Sequence, residues 1–458
     1  MKAMLHFLLS AALCVASLAA TGCSAEEIRV TLNGQPLTFD VAPQLTDDRV
    51  LVPLRKIFEE LGALVKWDEE TQTVTARKNK KTVTLTVGES EMTVDTGKTD
   101  DSGNPVIQTV SLDVPAQIVQ NRTLVPLRAI SEAFGMTVTW QEPEVTITKK
   151  KTADDSWKEN VGTVNLSDGT ATGEGVTVDG EQITFTQGGD FTLTGSFHGT
   201  VVVDTEEQIK LRLQNLSVTS KTEPCIFVKN ADRVILSAEE GTQNTFTAEQ
   251  CETAALYAKD DLVLQSSGAV TVNAPAGHGI KASDNLTVKS GSWQITAYED
   301  AVHVNDTFSM TGGTVTAEAE GDGIDSESIV EITGGTLAVT TTQEPAQITK
   351  STDPMEGDEV TFDRSSKGIK ADWMMVISGG TVTVNAADTA VHCLDEIDLT
   401  GGKLTLASAY GKGVSGHGNV TVDGAETVLE VTQCTEGLES KKTLTVNDGA
   451  ITVIASDD

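Results

Sequence analysis

The chain has 458 residues, 67 acidic against 33 basic side chains, and a formal charge of −34; aromatics make up only 4% of it and glycine occurs 40 times. Residues 26–150 carry 14 basic and 19 acidic side chains, and residues 151–458 carry 18 and 48. That balance excludes nucleic acid as a partner, because phosphate neutralisation needs Lys and Arg, and leaves solubility or cation binding as the uses of the acidity. The length predicts two to four domains.

Met1–Gly22 reads as a secretory signal: Lys2, an apolar run from Leu5 to Ala20, then small residues before Cys23. Ala20-Thr21-Gly22-Cys23 resembles a bacterial lipobox. Cleavage before Cys23 would leave that residue diacylated, and two chains give stable anchoring. The leading Leu is displaced to Leu18, so cleavage after Ala25 and plain secretion stand as the alternative. No other stretch is apolar enough to span a membrane, so membrane contact is expected only through the anchor.

Residues 26–150 contain a duplication. Arg49, Pro53-Leu54-Arg55, Gly62 and Trp67 return as Arg122, Pro126-Leu127-Arg128, Gly135 and Trp140, at a constant offset of 73. Each Pro presets φ where a helix begins, and each Gly stands where it ends. Leu54, Ile57, Phe58 and Leu61 lie on one helical face, as do Leu127, Ile130, Ala133 and Phe134. Alternating runs at Thr73–Ala76, Thr82–Val87 and Val145–Thr148 predict strands. The stretch is a small α+β module in duplicate. It resembles the copper amine oxidase N-terminal domain-like (stalk) family of Gram-positive surface proteins. The resemblance implies a stalk and not oxidase chemistry: only three tyrosines and no His-x-His pair are present.

Residues 151–162 read as a charged linker. From residue 163 to 458 the sequence repeats. A small residue followed by an aliphatic one recurs at Gly279-Ile280, Ala301-Val302, Gly323-Ile324, Gly368-Ile369, Ala390-Val391, Gly413-Val414 and Gly437-Leu438. Most steps are near 22 residues, each with short Thr/Val/Ile runs around a Gly-Gly pair such as Gly312-Gly313 or Gly379-Gly380. Such a period signals stacked repeats, and short strands without helical periodicity make the rung of a parallel β-helix. The anchor aliphatics should form an interior ladder. The step from Gly323 to Gly368 is expected to be one rung carrying an inserted loop at about Thr341–Ser366, lacking strand pattern. Residues 163–220 are expected to cap the stack, with Cys225-Ile226 opening the first anchored rung. The chain stops just before the next anchor is due, which reads as a truncated sequence. Cys225, Cys251, Cys393 and Cys434 read as buried small hydrophobes.

This region resembles the clostridial cellulose- and pectin-binding β-helix family, through Val228-Lys-Asn-Ala-Asp232, Gly321-Asp-Gly-Ile-Asp325, Lys367-Gly-Ile-Lys370 and Glu436-Gly-Leu-Glu439. The resemblance implies a right-handed parallel β-helix, bound calcium and affinity for plant cell-wall polysaccharide, without established catalysis.

Two charged columns flank the anchors. Stacking would bring Asp300 and Asp322 together with Asp325 beside them and Glu299 near, where mutual repulsion favours a cation between them. Glu436 and Glu439, with Asp457 and Asp458, form a second candidate. The residues alone allow a merely solvated acidic edge; the resemblance points to calcium. Lys281, Lys367, Lys370 and Lys412 concentrate in the same columns and could bind polyuronate carboxylates, or simply pair with the acids. Trp373 is the aromatic placed near an edge. Three functions follow: non-catalytic binding of polygalacturonate, pectin or cellulose by a monomeric cell-surface lipoprotein of a Gram-positive bacterium; a calcium-dependent polysaccharide lyase using Lys281 or Lys370 as base; or a structural adhesin or wall spacer.

Overall fold

The structure is a computed structural model, and it describes residues 28–99, 104–149, 155–350 and 359–456. The signal segment and Cys23 lie outside these residues, as do Asp457 and Asp458. The chain divides into two compact units, residues 1–150 and 151–458.

The first unit is the duplicated module. Helix α1 (Leu54–Glu60) and helix α2 (Leu127–Ala133) each follow a proline at the N-cap position. Each is ended by a glycine with positive φ, Gly62 at 75° and Gly135 at 76°, which frees the chain to turn away. Leu54, Ile57, Phe58, Leu127 and Ile130 are buried in one core. The strands leading into the helices, Arg49–Pro53 and Arg122–Pro126, pair antiparallel with Val52 opposite Val125. Those two residues are 73 apart, so a pseudo-two-fold axis passes beside them and relates the copies. A five-stranded antiparallel sheet includes Thr73–Lys78 and Lys81–Thr86, and Glu144–Lys149 lies in a second sheet, close to the predicted runs.

The second unit is a parallel β-helix of about 11 turns. Each full rung contributes one short strand to an anchor face and two runs, bent at the Gly-Gly corner, to a second and a third face. The anchor ladder is continuous: Ile280, Val302, Ile324, Ile369, Val391, Val414 and Leu438 are neighbours in register. Ile324 pairs directly with Ile369, so the long step is a single rung with an insertion. The insertion, expected as loop, does contain strand: Gln347–Thr349 pairs antiparallel with Glu359–Thr361. Each strand of this hairpin is three residues long, too short to show an alternation, and Ile348, paired with Val360, stays exposed. The ladder also starts two rungs before Cys225-Ile226, at Ile183 and Val201; there the small residue is replaced by Gln182 and Thr200, which hides the phrase. Strand begins at Val161, within the stretch that reads as linker, and pairs with Asp190–Thr194. The stack's first edge is covered by the antiparallel strand Val176–Asp179 and by Trp157, which is buried. A covered edge cannot template pairing with another chain.

Whether an anchor is Gly or Ala has a packing reason. A Cβ on Gly323 would come 2.0 Å from Val339 Cγ1, and one on Gly368 would come 2.2 Å from Val384 Cγ1. Gly279 meets Ile295 at 2.3 Å in the same way. Where the anchor is Ala301 or Ala390, the equivalent third-face residue is Ala317 or Leu406, with no branch at Cβ. The second Gly of each corner pair answers a conformational demand instead. Gly313 and Gly380 sit at φ 81° and 82°, a left-handed corner open to glycine. The four cysteines are free and buried.

Candidate functional site

The outward-facing residue after each anchor aliphatic lines up along the anchor face. In register these are Phe227, Tyr257, Lys281, His303, Asp325, Lys370, His392, Ser415 and Glu439. Rungs stack roughly 4.8 Å apart, so the column is one continuous strip. Its first members are absent from the sequence-based candidates. Phe227 and Tyr257 stack at 5.3 Å between ring centroids and 12° between planes, and Lys259 Nζ stands 5.6 Å above the Phe227 ring. Their signal lies in Cys225-Ile226-Phe227 and Ala255-Leu256-Tyr257, which repeat the anchor phrase with an aromatic after it.

A second column precedes the anchors and serves the backbone. Asp300 Oδ1 accepts the Asp322 amide at 2.7 Å, and Asp322 Oδ1 accepts the Lys367 amide at 2.7 Å. Each carboxylate thus satisfies a corner N–H of the next rung and has one oxygen left for chemistry.

The structure brings Asp300, Asp322 and Asp325 together, as the columns predict, and sets bases from the same columns among them. Asp300 Oδ2 lies 3.3 Å from His278 Nδ1 and 3.1 Å from His303 Nδ1. His303 Nδ1 is also 3.1 Å from Asp325 Oδ2. Lys370 Nζ sits 2.9 Å from Asp325 and 3.8 Å from Asp322. Burial works against the charge on Asp300, but His278, His303 and the Asp322 amide together drive its pKa well below the usual carboxylate range. Burial likewise opposes charge on His303, yet Asp300 and Asp325 push it up to about 9. Asp322 goes the other way: burial, then repulsion from Asp300 and Asp325, push it up to about 7. Lys370 loses stability as a cation to burial and regains more from Asp325 and Asp322, so its pKa rises.

Calcium takes 6–8 oxygen ligands. Two imidazoles and an ammonium stand among these three carboxylates, and the ammonium occupies the approach to both Asp322 and Asp325. The donor set as it stands does not fit calcium. The ligand atoms of His278, Asp300 and His303 do fall within 4.8 Å of one another, a nitrogen-containing set closer to what zinc takes.

Most of the remaining charged candidates are held in ion pairs. Glu299 pairs with Arg364 at 3.2 Å, and Arg364, at the end of the insertion, also covers the Tyr298 ring at 4.0 Å. Glu436 and Glu439 both pair with Lys412, at 3.0 and 2.7 Å. Lys367 pairs with Asp388 at 2.7 Å. Lys281 has no hydrogen-bond or ion-pair partner among the described residues, and it is half-buried. Trp373 is half-buried and hydrogen-bonds through its amide to the Ser328 carbonyl. His392 is pressed down to about 4 by burial, then by Lys367 and His417, and is neutral at pH 7.

A parallel β-helix whose anchor face carries an aromatic, basic and acidic strip is the class of protein defined so far. Residues 179–413 match the family model described as carbohydrate-binding domain-containing protein, and the chain belongs to that family. Residues 31–149 match the copper amine oxidase N-terminal domain. A carbohydrate-binding domain-containing protein of Acetivibrio thermocellus is 27% identical over 137 residues, 27% of this chain and 48% of the relative; the chain thus spans about half the length of that relative. The solved structure of the polysaccharide lyase-like protein from C. thermocellum, a gadolinium derivative, is 19% identical with a TM-score of 0.41, covering 63% of this chain and 98% of that one.

Proposed function

We propose that the solenoid binds an acidic plant polysaccharide of the polygalacturonate type, non-catalytically, along the anchor face. The observation that carries the reading is the unbroken outward column, with stacked Phe227 and Tyr257 leading into Lys281, His303 and Lys370. An extended sugar chain laid along the stack meets a ring face first, then Lys281 and His303 on successive rungs and, beyond Asp325, Lys370, which offer charge-assisted hydrogen bonds to carboxylates. Lys281 is the cation with no competing partner among the described residues. Membership of a carbohydrate-binding family supports a polysaccharide ligand, and the preference for an acidic one over cellulose comes from the charged column.

Lyase chemistry needs a base of suitable pKa. Lys370 is held protonated by Asp325 and Asp322, and His392, at about 4, is too weak a base. Lys370 therefore favours holding a uronate over abstracting its proton, and an assay for unsaturated product decides the same for Lys281. Lipidation at Cys23 would display the solenoid at a bacterial surface, with the duplicated module as its stalk. Binding of polygalacturonate to the full chain and to Lys281→Gln tests the site. Loss of one charge-assisted contact, about 1.4 kcal/mol, lowers affinity about tenfold. Unchanged affinity in Lys281→Gln places the polysaccharide elsewhere.

A further inference from the structure

The duplicated module carries two clefts, of about 570 and 830 Å³, lined by equivalent residues. One holds Arg55, Glu59 and Trp67 of the first copy, closed by Arg122 of the second. The other holds Arg128, Glu132 and Trp140, closed by Arg49. Every pair is 73 residues apart, so the clefts are related by the same pseudo-two-fold axis as Val52 and Val125.

The residues common to both copies fall into two groups. Arg49 pairs with Asp113 at 2.6 Å and Arg122 with Asp40 at 2.5 Å. These two bonds cross between the copies, and structure accounts for them. The second group has no such account. Arg55, Arg128, Glu59 and Glu132 are exposed, and their side chains make no hydrogen bond or ion pair among the described residues. Trp67 is 37% exposed at the cleft, and its equivalent Trp140 is half-buried against the core. Other helix positions have diverged, with Phe58, Lys56 and Glu60 standing against Ser131, Ala129 and Ala133, while the buried Leu54 and Ile57 return as Leu127 and Ile130 for packing. Arg and Glu retained at exposed positions without side-chain partners, in two places and beside a concavity, point to a ligand.

We infer that each cleft binds an uncharged pyranose oligosaccharide. The cavity volumes are those of small-ligand sites. The indole offers a flat apolar face for a sugar ring, and the free guanidinium and carboxylate, one helical turn apart, offer paired donors and acceptors for hydroxyls. The charge balance selects an uncharged ligand: the first cleft sets Arg55, Lys56 and Arg122 against Asp40, Glu59 and Glu69, and the second sets Arg49, Lys81 and Arg128 against Asp48, Asp113 and Glu132. The module would then hold neutral glycan bivalently, apart from any ligand of the solenoid.

The test is calorimetric titration of the full chain with cellohexaose and, separately, chitohexaose. These are a plain glucan and an N-acetylated wall-type glycan of the same chemistry. The expected result is two sites per chain for one of them, one site left in Arg55→Ala or Arg128→Ala, and none in the double variant. On the matching polymer the double variant should lose at least about a hundredfold in apparent affinity, because both arms of a bivalent grip go together. Both arginines are exposed and unpartnered, so thermal unfolding of the variants should match the parent, and Trp67→Phe gives an independent weakening. No heat with either oligosaccharide, or binding that survives in the double variant, overturns the inference.

Discussion

Replacing Asp322 with Asn should stabilise the solenoid at alkaline pH and change little near pH 4. The amide keeps an oxygen for the Lys367 N–H, 2.7 Å away, and removes a charge that the site resists. Asp322 is 2% exposed and its pKa stands at about 7 against 3.8 for an ordinary aspartate. In the window between those values the folded chain holds a proton that the unfolded chain has lost, so stability falls as pH rises. The full shift corresponds to about 4 kcal/mol. Part of this reflects coupling to Asp300 and Asp325, so a gain of about 2 kcal/mol at pH 8 is the working figure. His303 adds to the trend with the same sign: raised from 6.5 to about 9, it contributes stability that is full below pH 6.5 and lost through pH 9. Asp300, depressed, contributes stability present above about pH 4 and lost in acid. His392, pressed down to about 4, opposes Asp322 between pH 4 and 6.5, so the net fall in stability should come above about pH 6.5, where His303 and Asp322 act unopposed. Urea unfolding of parent and variant across pH 4–9 checks this. A variant whose stability falls as steeply as the parent's between pH 4 and 7, or one less stable than the parent at pH 8, refutes the electrostatic account.

Three further outcomes follow from named contacts. Lys370→Met removes the cation from two buried carboxylates; it should cost about 2–3 kcal/mol at pH 8, since His303 still serves Asp325, and less at pH 5, where Asp322 takes a proton. Gly368→Ala forces a Cβ to 2.2 Å from Val384 Cγ1 and should cost about 1–3 kcal/mol, of which Val384→Ala restores part in the double variant, read as a coupling energy in unfolding midpoints. Cys225, Cys251, Cys393 and Cys434 should resist alkylation in the native chain and react once it is unfolded, by peptide mass spectrometry; burial holds the Cys225 thiol up at about 12.

The ladder from Ile280 to Leu438 is legible because a solenoid writes its register into the sequence: one rung, one period, one column. The duplication is legible for the same reason, as a constant offset from Arg49 to Trp140. The residues gathered at Asp300 are only half legible. Column arithmetic puts Asp300 next to Asp322, but whether Lys370 lies along its own rung or reaches back to Asp325 depends on side-chain direction, which a period does not carry. The hairpin at Gln347 belongs to no period, and so reads as loop. The clefts around Trp67 and Trp140 need the antiparallel pairing of Val52 with Val125, a contact across 73 residues that no local pattern announces.

The most direct test of a binding face without catalysis is titration of the full chain with polygalacturonate, with calcium and with chelator, while absorbance of unsaturated products is followed. Saturable binding that persists in chelator and yields no product is the result expected of a strip whose cations are its own Lys281, His303 and Lys370. Product that accumulates with time would make the solenoid a lyase, and binding lost in chelator would mean that a metal ion, and not these side chains, meets the carboxylates.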